Sequence, residues 1–167
     1  MKIDFSTANP LKHATPALVI GCFEDVKDDL FAACDAALGG CIERLAVSRE
    51  FSGKASTTKL LHTLGKLGAE RLLLVGLGKQ AEMDREKLRQ ASGTAMQALR
   101  TARVASFSSV LHLSVTMPEA LEAVTVGTLL GSYAFEQYKT KDRDERFSFE
   151  GMTLLLSKGF TKKEASP

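Results

Sequence analysis

The stretch that decides the fold is RLLLVGLGK, residues 71–79. Its first five residues form the most apolar run in the chain, and such a run predicts a central strand covered on both faces. Residues 17–23 (ALVIGCF) form a second run of the same kind. Residues 57–64 (TTKLLHTL) predict a third strand, and the short glycine-containing link to the first favours an antiparallel hairpin between the two.

Strand and helix patterns alternate around these three strands. The remaining predictions are strands at 2–6, 110–115 and 151–156 and helices at 30–45, 84–103 and 116–138. Asp84 is placed to cap the second of these helices, and Thr116 with Glu119 has the spacing of a capping box for the third. The resulting order, β-β-α-β-β-α-β-α-β, predicts a layered α/β domain with a mixed, partly parallel sheet.

Two glycine pairs fall inside predicted helices. Gly39-Gly40 interrupts the first helix, at a cost of about 1 kcal/mol for each residue relative to alanine. Either the helix breaks there, or another backbone packs closely against it. Gly127 and Gly131 lie one turn apart in the last helix and predict a flat strip for close packing.

Composition and charge limit the possible classes of protein. The chain has 167 residues, of which 44% are hydrophobic and 25% are charged, as in one globular domain. A net charge of +2 gives no electrostatic reason to expect nucleic acid or an anionic membrane as the main partner. A nucleic-acid contact would fall on Lys158, Lys162 and Lys163, although three lysines in a tail are usually only solvated. No apolar run approaches the roughly 20 residues of a membrane span.

The three cysteines are interpreted as structural. Cys22, Cys34 and Cys41 lack metal-ligand spacing, so we expect buried thiols that behave as small hydrophobic groups. Cys34 and Cys41 are seven residues apart and are expected on one helix face. Unpaired thiols fit a reducing compartment, and the N-terminus lacks the apolar segment of a secretory signal. We therefore expect a cytoplasmic protein.

The local candidate for ligand binding is the segment Gly76–Lys79, which follows a buried strand. Glycines at such a position let backbone N–H groups approach a phosphate. The dinucleotide fingerprint is incomplete because Ala81 stands at its third glycine position, and no Lys-Ser/Thr pair of a P-loop follows. A plain tight turn is the favoured interpretation, and phosphate binding is the alternative.

Other chemistry-bearing residues are scattered. His13, His62 and His112 lie far apart in the sequence, and the last two fall in predicted strands, where a neutral or half-exposed histidine is expected. The carboxylates fall in predicted caps and charged loops, and no predicted strand end presents a pair for a divalent ion. The sequence therefore predicts no catalytic, cofactor-binding or metal-binding residue in this chain.

Four stretches carry a family resemblance. They are Gly39-Gly40 followed by FSGK at 51–54, LLHT at 60–63 followed by RLLLVGLGK at 71–79, the alanine-rich helix at 88–98, and GSYAFEQYKT at 131–140. In this order they resemble motifs in the N-terminal domain of the leucyl (cytosol) aminopeptidase family. The match departs from the family at Glu136, where Asp is usual, and at Gln137, where Arg is common.

The resemblance implies both a fold and a parent enzyme. The fold is a macro-domain-like, three-layer αβα domain with a mixed, mostly parallel sheet over residues 1–157, followed by a linker or tail at 158–167. The parent would be a cytoplasmic, hexameric metalloaminopeptidase that removes N-terminal amino acids using two divalent metals, zinc or manganese. The family's metal ligands and catalytic residues lie in a C-terminal domain that these residues do not include.

The expected function follows from the location of the family's catalytic residues in the C-terminal domain. The resemblance implies a non-catalytic domain with a structural, oligomer-supporting role, whose partners are the C-terminal domain of the same parent chain and the other subunits. The alternative is a macro-type module that binds a nucleotide, ADP-ribose, at Gly76–Lys79.

Overall fold

The computed structural model describes residues 1–134 and 147–156 of the chain. Within them the strands are β1 (Lys2–Ser6), β2 (Thr15–Phe23), β3 (Thr58–His62), β4 (Ala69–Gly78), β5 (Ser106–Ser109) and β6 (Gly151–Leu155). The helices are α1 (Asp29–Ala37), α2 (Cys41–Val47), α3 (Arg85–Thr101) and α4 (Ala120–Ala134), with short 3-10 helices at Gln80–Glu82 and Leu111–Ser114. The predicted order of strands and helices is confirmed, except that the first helix is divided in two.

The six strands form one mixed sheet in the order β1-β6-β5-β2-β4-β3. The pairs β1–β6, β5–β6, β2–β5 and β2–β4 are parallel. Strand β3 pairs with β4 in the antiparallel sense, as predicted for this hairpin. The prediction of a mixed, mostly parallel sheet is therefore confirmed.

Helices cover both faces of the sheet, which gives the predicted three-layer αβα arrangement. Successive residues of a strand point to opposite faces. Val19 of β2 accordingly packs in a cluster with residues of α3 and α4, whereas Ile20 packs with residues of α1 and α2. The central strands are thus buried on both sides, which explains why β2 and β4 are nearly continuous apolar runs.

One strand was predicted in the wrong place. Residues 110–115 are not a strand, because β5 lies at Ser106–Ser109 and Leu111–Ser114 form a 3-10 helix. The strand itself reads SFSS, and Ser108 and Ser109 are buried although their side chains are polar. The strand prediction based on hydropathy therefore fell on the apolar residues that follow β5 and form the 3-10 helix.

The boundaries of the last helix also differ from the prediction. Helix α4 begins at Ala120, and the Thr116–Glu119 capping box does not start it. The N–H of Ala120 donates to the carbonyl of Met117 at 3.2 Å, so a turn precedes the helix. The predicted end near Tyr138 lies outside the described residues.

Further predictions concern residues beyond the described part of the chain. The stretch KTKDRDER at 139–146, whose charges predict a solvated segment, falls there, as does the boundary between the domain and the tail. The lysines considered for nucleic-acid contact, Lys158, Lys162 and Lys163, also lie outside the described residues.

The two glycine pairs have different roles. Gly39 and Gly40 adopt left-handed φ values of 68° and 79°, and a Cβ at either would meet nothing within 4 Å. The helix therefore breaks there, which is the first of the two alternatives that the sequence left open. Close packing is confirmed at the other pair. A Cβ on Gly127 would lie 2.3 Å from the carbonyl oxygen of Arg89, and one on Gly131 would lie 3.0 Å from Cβ of Met96.

Candidate functional site

Ligands of open α/β sheets bind at the carboxyl ends of two neighbouring strands whose following connections run to opposite sides of the sheet. Strands β2 and β5 are such a pair. The chain leaves β2 through α1 towards the β4 side of the sheet, and it leaves β5 through α4 towards β6. The crevice between the ends of β2 and β5 is therefore the first place to search for a site.

Side chains of the protein itself fill this crevice. A Cβ on Gly21 would lie 2.6 Å from Cδ1 of Leu77, 2.8 Å from Oγ of Ser114 and 3.0 Å from Cδ1 of Leu111. Leu77 and Leu111 are 3% and 1% exposed, so both are core residues. The 3-10 helix after β5 thus closes the position that a ligand would occupy.

The glycines of the Gly76–Lys79 segment do not form the predicted loop, because β4 continues through Gly78. Their backbone donors already have partners in the chain. The N–H of Gly76 donates to the carbonyl of Thr57 at 2.7 Å, and the N–H of Gly78 donates to the carbonyl of Gly53 at 2.9 Å. A Cβ on Gly76 would lie 1.9 Å from the carbonyl oxygen of Lys54. The glycine is therefore required by the close approach of a neighbouring loop.

The N–H of the second residue beyond that strand is also occupied. The N–H of Gln80 donates to Oδ1 of Asp25 at 3.1 Å. A carboxylate in this position takes the place that a phosphate oxygen would need, and its charge repels an anion. The geometry opposes phosphate binding at this segment. The tight-turn interpretation is also wrong, because β4 continues through Gly78.

A cavity of about 350 Å³ lies beside the carboxyl end of β2, beneath α1 and α2. Its wall is mostly apolar and includes Phe23, Phe31 and Phe51, while Glu24 and Asp25 contribute carboxylates. The cation that lines it, Lys27, holds Oε1 of Glu43 at 2.5 Å. The cavity is therefore apolar with an acidic margin. Its walls come from three separate segments of the chain, so no local sequence pattern indicates it.

The buried thiols are unsuited to nucleophilic chemistry. Burial raises the pKa of the Cys22 thiol well above its usual range, and the nearby Asp28 carboxylate raises it further. Burial, with the same carboxylate, raises the pKa of Cys34 to about 12. Cys34 lies in α1 and Cys41 opens α2, so they do not share a helix, although both pack against the same apolar cluster. Thiolates are scarce at neutral pH in such surroundings.

The three histidines occupy different environments. His62 is exposed at the end of β3, and His13 is half-buried before β2. His112 lies in the 3-10 helix after β5 and is only 8% exposed. Burial lowers the pKa of His112 to about 4, and neither of its ring nitrogens has a hydrogen-bond partner in the structure. The neutral imidazole agrees with the prediction, but its burial in a 3-10 helix was not predicted, because the strand assigned to it was misplaced.

The described residues show neither a metal-binding cluster nor a membrane-spanning helix. Residues 1–134 and 147–156 contain no group of three or more His, Cys, Asp or Glu side chains arranged to hold a metal ion. Among the helices of the same residues, none combines the length and the hydropathy of a membrane span.

Comparison with known proteins identifies the family. The model of the cytosol aminopeptidase family, N-terminal domain, matches residues 19–142. The chain belongs to the cytosol aminopeptidase family. A probable cytosol aminopeptidase of Geobacter sp. (strain M21) is 65% identical over 155 residues, which cover 93% of this chain and 32% of that protein. The chain therefore spans about a third of the length of the curated relatives it matches.

Solved structures support the fold of this aminopeptidase-family domain. A mutant of tomato leucine aminopeptidase matches with a TM-score of 0.75 and 19% identity, covering 98% of this chain and 34% of that one. The Oceanobacillus iheyensis macrodomain with ADP matches with a TM-score of 0.63 and 13% identity, covering 96% and 84% of the two chains. At these identities the likeness shows the fold alone, and it confirms the macro-domain-like architecture.

Proposed function

We propose that this chain is the non-catalytic N-terminal domain of a metal-dependent aminopeptidase and that its role is to support the oligomer. The observation that carries the proposal is the family match over residues 19–142, combined with a length of about a third of the relatives. The catalytic machinery, with two zinc or manganese ions, belongs to the remaining part of the parent protein. The parent is proposed to be a cytoplasmic hexamer.

The geometry at the carboxyl ends of the strands supports this proposal. The crevice between β2 and β5 is closed by Leu77 and Leu111, and the N–H groups near Gly76 are bonded within the chain. The buried thiols are held in the protonated form. The domain proposed here extends over residues 1–157, and residues 158–167 lead towards the catalytic domain, which is its partner in the same parent chain.

The structural role is testable in the Geobacter sp. (strain M21) relative. We expect removal of the segment that matches this chain to lower the molar mass of the assembly, measured by light scattering after size-exclusion chromatography. Adding the separate 167-residue chain back at excess should restore part of the lost mass. An assembly that keeps its full subunit number without the segment contradicts the proposed role.

Nucleotide binding is the second candidate, and the likeness to a macrodomain solved with ADP favours it. The structure opposes it at Gly76–Lys79, where the N–H groups of Gly76 and Gly78 are bonded within the chain and Asp25 places a negative charge beside Gln80. We expect calorimetry with ADP-ribose or ADP at millimolar concentration to show no heat beyond dilution. Saturable heat would establish nucleotide binding instead, and its loss in Ala46→Phe would locate the nucleotide in the cavity beneath α1 and α2.

A further inference from the structure

Strand β1 forms an edge of the sheet, and no strand of the part of the chain that the structure describes pairs with its outer side. It pairs only with β6 among the strands of the described residues. The N–H of Lys2 donates to the carbonyl of Glu150 at 2.9 Å, and the N–H of Leu156 donates to the carbonyl of Ser6 at 2.8 Å. In a parallel pair, residues alternate between facing the partner strand and facing away. The N–H and C=O groups of Ile3 and Phe5 therefore point away from β6, towards the outside of the sheet.

The side chains of β1 divide by chemistry between the two faces. Met1, Ile3 and Phe5 lie on one face, and Lys2 and Asp4 lie on the other. Phe5 is 57% exposed and Met1 is 39% exposed, whereas Ile3 packs against the core. An edge strand with exposed apolar side chains and free backbone groups is a template for pairing with another strand.

We propose that β1 pairs antiparallel with β1 of a second copy of this chain, with Ile3 opposite Ile3. At a hydrogen-bonded position of an antiparallel pair, the two opposite residues exchange both backbone hydrogen bonds. Ile3 meets this condition because its backbone groups face outward. The resulting sheet is continuous through both copies. This inference rests on the oligomer-supporting role proposed above and identifies β1 as the contact surface for that role.

Charge selects this register over its neighbour. With Ile3 opposite Ile3, Lys2 of each copy lies opposite Asp4 of the other, which gives two opposite-charge pairs across the junction. A shift by two residues, the next register with correct backbone geometry, places Asp4 opposite Asp4. Opposite charges across strands are favourable and like charges are unfavourable. In the single chain, Nζ of Lys2 lies 3.5 Å from Oδ2 of Asp4 on the exposed surface, so both side chains are available for exchange.

The apolar face of β1 fits the same register. Phe5 of the second copy comes opposite Met1, which lines a cavity of about 180 Å³ together with Leu129, Tyr133 and Phe149. Tyr133 is 65% exposed, so this side of the junction offers aromatic surface to the incoming ring. Burial of exposed aromatic and thioether groups then adds to the backbone hydrogen bonds.

Reciprocal charge reversal tests the register directly. In Lys2→Asp, carboxylates oppose carboxylates across the junction, and in Asp4→Lys, ammonium groups oppose ammonium groups. In an equimolar mixture of the two variants, every opposed pair is again of opposite charge. Sedimentation equilibrium of the 167-residue chain measures the dissociation constant of the dimer. Lys66→Asp, in an exposed turn, is the control for net charge.

We expect each single variant to raise the dissociation constant roughly tenfold or more, and the mixture to recover the wild-type value within about threefold. Unchanged circular dichroism and thermal unfolding show that the variants are folded. A wild-type chain that stays monomeric at about 1 mM overturns the inference, as does a mixture that does not recover. Dimers that resist both single reversals also overturn it. None of these results decides the oligomer-supporting role, which is tested separately by truncation of the Geobacter relative.

Discussion

At the scale of single residues, the space around each glycine decides what the position tolerates. Gly127 in α4 and Gly93 in α3 both lie within helices that pack against each other. A Cβ on Gly127 would strike the backbone of Arg89, whereas a Cβ on Gly93 would meet nothing within 4 Å. The same substitution should therefore have opposite effects at the two sites.

We expect Gly127→Ala to lower the free energy of unfolding by about 1–3 kcal/mol, because α3 and α4 must separate to admit the methyl group. Gly93→Ala is the matched control and should raise it by about 0.5–1 kcal/mol through helix propensity. Urea denaturation measures both. Equal effects of the two substitutions would show that the helices do not approach as closely as described.

His112 links the stability of the fold to pH. In the folded state its pKa lies at about 4, below the value of about 6.5 for an exposed histidine. Between pH 6.5 and pH 4, His112 is therefore protonated in the unfolded chain but not in the folded chain. The free energy of unfolding decreases as pH falls through this range. Above pH 6.5 both states are neutral at this residue and the contribution is constant.

We expect the wild-type chain to lose about 3 kcal/mol more stability than His112→Leu between pH 7 and pH 4. The exposed His62 supplies the control, since His62→Gln should follow the wild-type curve. Urea denaturation across this pH range gives the comparison. Parallel curves for the wild type and His112→Leu would contradict the burial of a neutral imidazole.

At the scale of elements, Asp35 holds α1 and α2 together where the helix breaks. Its Oδ1 accepts hydrogen bonds from the N–H groups of Ile42 and Glu43, at 2.9 Å and 3.1 Å. Gly40, which precedes α2, has no side chain to cap that helix, so a carboxylate from the preceding helix does so. Because the residue is 9% exposed, the two N–H groups have little access to water without it.

Asp35→Ala should therefore lower the free energy of unfolding by about 2 kcal/mol. Asp35→Asn keeps an acceptor oxygen of the same size and should cost less than half as much. Thermal or urea unfolding distinguishes the two. A loss for Asn as large as that for Ala would mean that the charge of Asp35, and not the acceptor at this position, stabilises the helix.

The accuracy of the sequence predictions also depends on the element. Strands β2 and β4 were predicted because their burial shows directly in apolar runs. Strand β5 was misplaced because Ser108 and Ser109 are buried without being apolar, a consequence of neighbours that lie far away in sequence. The cap of α3 was predicted correctly, since Asp84 bonds to the N–H of Lys87, only three residues away.

The candidate site was less predictable than the fold for a similar reason. The sequence shows that residues 76 and 78 are glycines, but not that Lys54 and Gly53 approach them. Closure of the crevice above Gly21 likewise depends on Leu111, which is ninety positions further along the chain. Contacts of this kind are set by the tertiary arrangement, and local patterns do not encode them.

At the scale of the whole molecule, the chain is a macro-domain-like scaffold in which core side chains occupy the space above Gly21, between the ends of β2 and β5. Such a domain is suited to presenting surfaces, and its free sheet edge at β1 is the surface that we propose for contact with a second copy. We propose that catalysis belongs to the part of the parent protein that lies outside the family's N-terminal domain.

The central claim is that this chain has no aminopeptidase activity of its own. The most direct measurement is hydrolysis of Leu-p-nitroanilide by the purified 167-residue chain, with zinc or manganese added in excess. The intact Geobacter sp. (strain M21) relative serves as the positive control. We predict a rate equal to that of the protein-free blank with either metal. Saturable, metal-dependent turnover that scales with the concentration of the chain would contradict the claim.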